Sequence, residues 1–193
     1  MTKANFLIAF LIMASTLVQP AIGEVSSCSE ISQVDLMAGQ YTHVGNVAVC
    51  NDADNLYIQV TTMNGWAMTE THLAVEKQLD LIPQNGGGNP KIGLFDYQRT
   101  YIPSIQEETY RINLSEAGIV EGDEIYIAVH AVVQLTDEFG NLLQQETAWG
   151  DGEEFAGRSW ATYFTYTLQS VPTDDSGEGD SGEGDGGIDL SEY

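Results

Sequence analysis

Residues 124–135 form the strand-like stretch that most limits the folds open to this chain. A period of two places Ile125, Ile127, Val129, Ala131 and Val133 on one face of such a strand. The other face is also mostly apolar and carries Tyr126, Ala128, His130 and Val132. A strand that is apolar on both faces packs between two layers. The sequence therefore predicts a layered fold with this strand at its centre.

The rest of the central region is also strand-like, and no run keeps a helical period beyond one turn, at residues 114–119. The other predicted strands are residues 44–50, 56–61, 66–77, 110–114, 142–147 and 160–168. Asn64 and Gly65 tolerate positive φ and predict a tight hairpin, whereas residues 78–108 are predicted to be a long irregular loop. We therefore predict an all-β fold, a single β-sandwich of antiparallel strands, with a closed barrel as the alternative.

The N-terminal segment has the features of a secretory signal. Lys3 precedes an apolar run over residues 6–18, and Pro20 and small residues up to Gly23 follow it. The run is too short to span a bilayer, so we predict a signal peptide over residues 1–23 that is cleaved, which leaves a secreted chain with no transmembrane anchor. The alternative is a lipoprotein modified at Cys28, but Glu24 and further polar residues separate Cys28 from the apolar run.

Charge divides the mature chain into two parts. The chain holds 29 Asp and Glu against 6 Lys and Arg, a formal net charge of -23. Part of this charge belongs to an acidic tail over residues 172–193, rich in Gly, Ser, Asp and Glu, and the rest to the domain predicted over residues 24–171. Such an anionic surface repels nucleic acid and anionic lipid. Residues 188–193 alternate apolar and polar side chains, a pattern that fits pairing with another molecule or a solvated end.

Cys28 and Cys50 are the two cysteines of the chain. Two cysteines in an exported protein usually pair, so we predict a disulfide between the start of the mature chain and the end of an early strand. Lipidation of Cys28 would leave Cys50 as an odd thiol, and a further alternative is two unpaired buried thiols.

The segment Gln145-Glu-Thr-Ala-Trp-Gly150, followed by Gly157-Arg-Ser-Trp-Ala-Thr-Tyr-Phe-Thr-Tyr166, resembles domains of exported bacterial and archaeal surface proteins. Weaker matches lie at residues 69–73 and 130–133. The resemblance covers most of the folded region and neither end. It implies secretion and a β-rich architecture, and it brings no assigned biochemistry and no catalytic residues.

Acidic loops are the first candidate sites. Calcium prefers several hard oxygen ligands, which Asp52 and Asp54 in one loop and Asp151 and Glu153 in another would supply. No EF-hand pattern is present, and the alternative is an acidic surface that keeps the protein soluble in a salty exterior.

Two histidines and two tryptophans are the remaining candidates. His72 and His130, with Glu70 or Glu146, would form a zinc site if their strands were neighbours in the right register; the alternative is a buried, hydrogen-bonded histidine. Trp66 and Trp149 lie near strand ends or loops, where exposed rings would stack on sugars; core packing is the alternative.

The sequence contains no nucleophile elbow, no zinc-protease helix motif and no phosphate-binding glycine loop. We therefore predict a secreted, non-enzymatic surface or extracellular module that is calcium-stabilised and self-associating. The alternatives are a carbohydrate-binding module, which would use the loop of residues 78–108 with the exposed tryptophans, and a metal-dependent hydrolase.

Overall fold

The computed structural model describes residues 28–171, which form an all-β domain, so the predicted fold class is confirmed. The predicted signal peptide over residues 1–23 and the predicted acidic tail over residues 172–193 lie outside the described residues. The helices between residues 28 and 171 are short, and none combines the length and apolarity that a membrane crossing requires.

Strands make up most of the domain. They are β1 (Ser32–Ala38), β2 (Thr42–Asn51), β3 (Asn55–Thr62), β4 (Trp66–Glu76), β5 (Tyr97–Ile105), β6 (Glu107–Asn113), β7 (Glu124–Thr136), β8 (Leu142–Gly150), β9 (Glu153–Glu154) and β10 (Thr162–Thr167). Within residues 28–171, helix is confined to two 3-10 turns (Leu79–Leu81 and Ile92–Leu94) and to α1 (Leu114–Ala117). Asn113 caps α1 at its start, and Gly118 at φ 65° ends it after one turn.

The strands pair antiparallel in one continuous sheet, in the order β5-β4-β7-β8-β1-β2-β3-β6. The long strand β7 lies in the middle of one half, as predicted, because it pairs with β4 along one edge and with β8 along the other. Where β8 leaves that edge, β10 takes its place beside the first residues of β7. The sheet curls around its core and has a nearly closed, barrel-like shape.

Side chains, rather than backbone hydrogen bonds, connect the two end strands β5 and β6. Arg99 of β5 forms an ion pair with Glu108 of β6, and its guanidinium lies 4.5 Å from the ring centroid of Tyr110. The hydroxyl of Thr71 in β4 is hydrogen-bonded to the hydroxyls of Tyr101 and Tyr110. These contacts bring the two ends of the sheet together and leave it nearly closed.

Two apolar clusters lie on opposite faces of β7. The larger one fills the inside of the curled sheet and includes the alternate residues Ile125, Ile127 and Val129. The smaller one lies outside, where the segments between β4 and β5 and between β8 and β10 cover Ala128 and Trp149. This second cluster explains why the sequence of β7 is apolar on both faces.

The predicted turn at Asn64-Gly65 is present, with φ angles of 56° and 85°, but the predicted hairpin is wrong. β3 pairs with β2 and β6, whereas β4 pairs with β5 and β7. The two strands diverge after the turn, which therefore forms a corner between the two halves of the sheet. An Asn-Gly signal reports the local backbone and carries no information on which strands pair.

A register shift between Met68 and Glu70 interrupts the alternation of side chains along β4. Simple alternation would place Met68 on the same face as His72, opposite Leu73. Met68 instead lies in the inner core together with Leu73, because the bulge inserts one extra residue between them. Glu70 and His72 keep the outer face on which the second cluster packs.

The predicted irregular loop over residues 78–108 is wrong in its second half. β5 occupies Tyr97–Ile105 and pairs with β4, and β6 already begins at Glu107. β5 escaped prediction because it pairs on one side and most of its residues are exposed or half-buried, so apolar alternation is weak. The first half of the segment is irregular, as expected, and includes the turn at residues 85–88.

The predicted disulfide between Cys28 and Cys50 is confirmed, with 5.8 Å between the two Cα atoms. Next to it, the Ser29 amide donates to the Asn51 carbonyl at 2.8 Å, and the Ser29 hydroxyl is 3.0 Å from the hydroxyl of Tyr166. The disulfide therefore ties Cys28 to β2, and the Ser29 hydroxyl adds a contact with the end of β10.

Candidate functional site

A pocket of about 320 Å³ opens between the β1–β2 turn and the hairpin that follows β8. Gln40 and Tyr41 of the turn line one part of it. The hairpin contributes Asp151 and Glu154 from its first arm, and Trp160 and Thr162 from its second arm; Met37 and Gly152 also line the pocket. The site is therefore built from two segments that are more than a hundred residues apart in the chain.

The β1–β2 turn is held in an unusual backbone conformation. Gly39 and Gln40 are both left-handed, with φ angles of 53° and 76°. Few residues other than glycine adopt this conformation, which makes Gln40 an exception. The Gly39 amide donates to the Thr147 carbonyl at 3.1 Å, which anchors the turn on β8. The next residue, Tyr41, is 85 % exposed at the edge of the pocket.

Hydrogen bonds also hold the first arm of the hairpin. The Asp151 amide donates to the Asp35 carbonyl at 2.7 Å, and the Thr162 hydroxyl donates to the Gly150 carbonyl at 2.7 Å. A Cβ on Gly152 would collide with the backbone carbonyl of Tyr163, so this close approach requires glycine.

The far end of the hairpin is locked by Asn89, whose side-chain oxygen accepts from the amides of Arg158 and Ser159 at 2.8 and 2.9 Å. Gly157 approaches Asn89 closely enough that no Cβ would fit there. The irregular segment before β5 thus supports the hairpin that carries Asp151, Glu154 and Trp160.

The pocket combines hydrogen-bonding groups with aromatic surface. Asp151 and Glu154 supply carboxylates, Gln40 supplies an amide, and Tyr41 and Trp160 supply rings. None of the lining residues is Lys, Arg or His. Such a pocket attracts hydroxyl and cationic groups and repels anions.

The two residues proposed for calcium in this hairpin have separate environments. Asp151 lines the pocket, whereas the Glu153 carboxylate accepts from the Tyr163 hydroxyl at 2.8 Å. That hydrogen bond raises the pKa of Tyr163. Across residues 28–171, no three His, Cys, Asp or Glu side chains are grouped so as to hold one metal ion. Calcium at this hairpin stays a prediction.

Asp52 organises the turn between β2 and β3. Its Oδ1 accepts from the amides of Asp54 and Asn55 at 2.8 and 2.6 Å, and its Oδ2 accepts from the Tyr57 hydroxyl at 2.7 Å. Partial burial opposes the shift, but these hydrogen bonds together hold the pKa of Asp52 below its ordinary value. Both oxygens therefore serve the turn, while Asp54 is exposed to solvent.

His72 and His130 are direct cross-strand partners on β4 and β7, with 3.3 Å between their Nδ1 atoms. His130 is 3 % exposed and its ring centroid is 4.9 Å from that of Trp149. Burial lowers the pKa of His130 to about 4, and burial also lowers the pKa of His72 against the attraction of Glu70. The two rings meet, as a zinc site requires. Glu146, by contrast, lies beside Gly39 and is paired with Val133 of β7, three residues further along the strand than His130.

Protonation of His130 is expected to destabilise the domain in acid. Its folded-state pKa of about 4 lies below the ordinary value of 6.5, so the unfolded chain binds the proton first as the pH falls. Each pH unit below 6.5 removes up to about 1.4 kcal/mol of stability, or about 2 kcal/mol by pH 5. Urea unfolding of the wild type and of His130→Leu at several pH values in this range measures the free energy of unfolding of each protein. The difference between the two pH curves reports His130, because the carboxylates are common to both proteins and cancel. Parallel pH curves for the two proteins would contradict this assignment.

Trp66 and Trp149 are not the exposed rings that sugar stacking would need. Trp66 is 5 % exposed in the inner core, and Trp149 is 7 % exposed in the outer cluster, where Phe95 lies against it. The sequence pattern could not separate exposure from burial at these two positions, because a tryptophan near a strand end can either pack in the core or face solvent. The aromatic rings that line the pocket are those of Tyr41 and Trp160.

The sequence interpretation did not identify Gln40, Tyr41 and Thr162 as site residues, and it did not include Trp160 among the tryptophans proposed to stack on sugars. A signal existed in the chain, because Gly39 marks a turn that carries an exposed tyrosine. Nothing local relates that turn to the hairpin after β8. The pairing of Leu36 and Ala38 with Gly150 and Ala148 is what brings the two segments together.

Comparisons of this chain with protein-family models, with curated proteins and with solved structures found no match.

Proposed function

We propose that this protein is a secreted, non-enzymatic extracellular binding module that holds its ligand in the pocket between the β1–β2 turn and the 150–162 hairpin. The observation that carries the proposal is the pocket itself. It is concave and brings two aromatic residues together with several polar groups, and small-molecule sites also combine aromatic and polar groups. Its backbone is held by hydrogen bonds on both sides, so little order has to be gained on binding.

Secretion is supported by two features of the chain. Residues 1–23 have the charge, apolar run and small residues of a signal peptide. The Cys28–Cys50 disulfide suits an oxidising exterior, where such bonds persist. The resemblance of residues 145–166 to exported surface domains points the same way.

Export is tested by expressing the chain from Met1 in a bacterial host and determining the N-terminus of the exported protein by mass spectrometry. We expect a mature chain that begins at Glu24. A lipid-modified chain that begins at Cys28 would replace free secretion by the lipoprotein alternative, and a cell-retained chain that begins at Met1 would contradict export altogether.

Binding is tested with the labelled mature chain on a panel of bacterial surfaces and extracellular-matrix preparations. We expect saturable binding that Tyr41→Ala weakens. Tyr41 is 85 % exposed, so this variant leaves the fold intact. Leu94→Ala is the matched control, because Leu94 is 60 % exposed and lies outside both the pocket and the β7–β8 hairpin. Equal loss in both variants, or no binding by the wild type, would count against the proposal.

Calcium stabilisation is a separate part of the proposal, supported by the acidic residues Asp151, Glu153 and Glu154 on one hairpin. A calcium ion bound by any of these carboxylates would raise the melting temperature of the mature chain by mass action. Thermal melting in calcium chloride and in chelator measures the effect, and an unchanged melting temperature would contradict stabilisation of the domain by calcium.

Self-association is supported by exposed apolar side chains on the β7–β8 hairpin. Phe139, Leu142 and Leu143 are 81 %, 56 % and 62 % exposed. Neighbouring apolar residues of this kind are typical of contact surfaces. Sedimentation velocity over a range of concentrations tests this part, and we expect Phe139→Ser to shift the mature chain towards monomer. A wild type that is monomeric throughout would contradict it.

A further inference from the structure

The pocket has two aromatic rings that a ligand can reach. Tyr41 is 85 % exposed beside it. Trp160 lines the pocket and is partly buried against the outer cluster. An exposed ring that is held in place by such packing offers a flat apolar surface at small entropic cost. A sugar is a polar ligand, but the C–H groups on the face of its ring form an apolar surface. This surface stacks well on an aromatic ring.

The polar groups of the pocket match hydroxyls. The carboxylates of Asp151 and Glu154 accept hydrogen bonds only, and the Thr162 hydroxyl already donates to Gly150, which leaves its oxygen free to accept. Gln40 adds an amide that both donates and accepts. A ligand that complements this set must bring mainly donors, as the hydroxyl groups of a sugar do.

The charge of the pocket decides between neutral and anionic sugars. Two carboxylates line it without any Lys, Arg or His, and the whole chain carries a net charge of -23. Uronic acids, sialic acids and sulfated sugars would enter against this field. The volume of about 320 Å³ lies at the lower end of the range for small-molecule sites, which favours a terminal residue over a long glycan segment.

We infer that the pocket binds a terminal neutral sugar, with its ring faces against Tyr41 and Trp160 and its hydroxyls on Asp151 and Glu154. This inference rests on the proposed binding function and gives its ligand class. The residues differ from those that the sequence indicated, because Trp66 and Trp149 are buried. Sugar binding is inferred from the cavity and its two aromatic rings, and the two carboxylates account for the preference for neutral over anionic sugars.

Isothermal titration calorimetry on the mature chain tests the inference with three kinds of probe. The first is a set of neutral sugars (glucose, galactose, mannose, xylose and N-acetylglucosamine). The second is the organic cation choline, together with calcium chloride. The third is galacturonic acid, as the anionic counterpart of galactose. We expect binding of at least one neutral sugar and weaker or no binding of galacturonic acid.

Variants then assign the binding to the pocket. We expect Tyr41→Ala to weaken sugar binding about tenfold, a loss of roughly 1.4 kcal/mol, and Tyr41→Phe and Leu94→Ala to preserve it. The Asp151→Asn/Glu154→Gln variant keeps hydrogen-bonding groups and removes both charges. It should weaken sugar binding partially and abolish any binding of choline or calcium.

The outcomes separate this inference from the proposed function. Binding of choline or calcium alone, lost in Asp151→Asn/Glu154→Gln, would overturn the sugar and leave a binding module. Stronger binding of galacturonic acid than of galactose would overturn the preference for neutral sugars. No response to any probe, on a chain whose melting curve shows it to be folded, would overturn the sugar as the ligand class, whereas the proposed binding function is overturned only if the wild type also fails to bind in the surface and matrix assay.

Discussion

Gly45→Val is expected to lower the free energy of unfolding by at least about 4 kcal/mol, the largest effect of any substitution discussed for this domain. Gly45 lies inside β2, between Leu36 of β1 and Thr62 of β3. Any Cβ at this position would overlap the backbone carbonyl of Thr61. The backbone cannot move aside cheaply, because β2 is hydrogen-bonded to a strand on each side.

Gly86→Val is the matched control for this substitution. Gly86 lies in the exposed turn before β5, and a Cβ there would meet no atom within 4 Å. We expect its unfolding free energy to stay within about 0.5 kcal/mol of the wild type. Urea unfolding followed by tryptophan fluorescence measures both variants. Equal stability of Gly45→Val and Gly86→Val would show that β2 and β3 do not approach as closely as described.

Removal of the disulfide is expected to have the next largest effect. The Cys28→Ser/Cys50→Ser variant should lose about 3 kcal/mol, because the bridge closes a loop of 22 residues in the unfolded chain. The expected loss is mainly one of unfolded-state entropy, so the pocket, which lies elsewhere in the sheet, should keep its ligand affinity at temperatures where the variant is folded.

Urea unfolding of this variant, and of the wild type with and without reductant, measures the effect. The reduced wild type and the double variant should have the same stability, since both lack the same bridge. A double variant as stable as the oxidised wild type would show that the unfolded chain is not restrained by the bridge. Loss of ligand affinity in the folded variant would show that the bridge also shapes the pocket.

The central strands could be predicted from the sequence because their residues repeat a simple pattern. β7 alternates apolar side chains over its whole length, and both of its faces meet an apolar cluster. β1 and β5 lack this pattern, since most of their residues are exposed or half-buried. Local propensity therefore identified the strands of the core and missed the first strand and one end strand of the sheet.

Pairing and bulges are the part that local patterns do not encode. The corner at Asn64-Gly65 has the backbone of a hairpin turn and yet sends its two strands to different partners. The bulge after Met68 moves that side chain into the core without any glycine or proline to mark it. Both features follow from long-range packing.

The candidate site was predictable only in part. Cys28 and Cys50 were paired by counting, and His72 and His130 were correctly considered together as strand residues. The pocket depends on the short pairing of β1 with β8, which joins a turn near residue 40 to a hairpin near residue 155. Tertiary packing decides which tryptophan a ligand can reach, since Trp149 is buried against His130 and Trp160 lines the pocket.

The measurement that tests the central claim most directly is an amide NMR titration of the mature chain with the neutral sugars, then choline, then calcium chloride. The account predicts that the signals that change belong to Gly39, Gln40, Tyr41, Gly152 and Thr162, which border the pocket on both sides. The signals of Gly86 and Phe139, which lie elsewhere on the surface, should stay constant. Changes confined to residues outside the pocket, or no change with any of the three, would contradict the assignment of this pocket as the binding site.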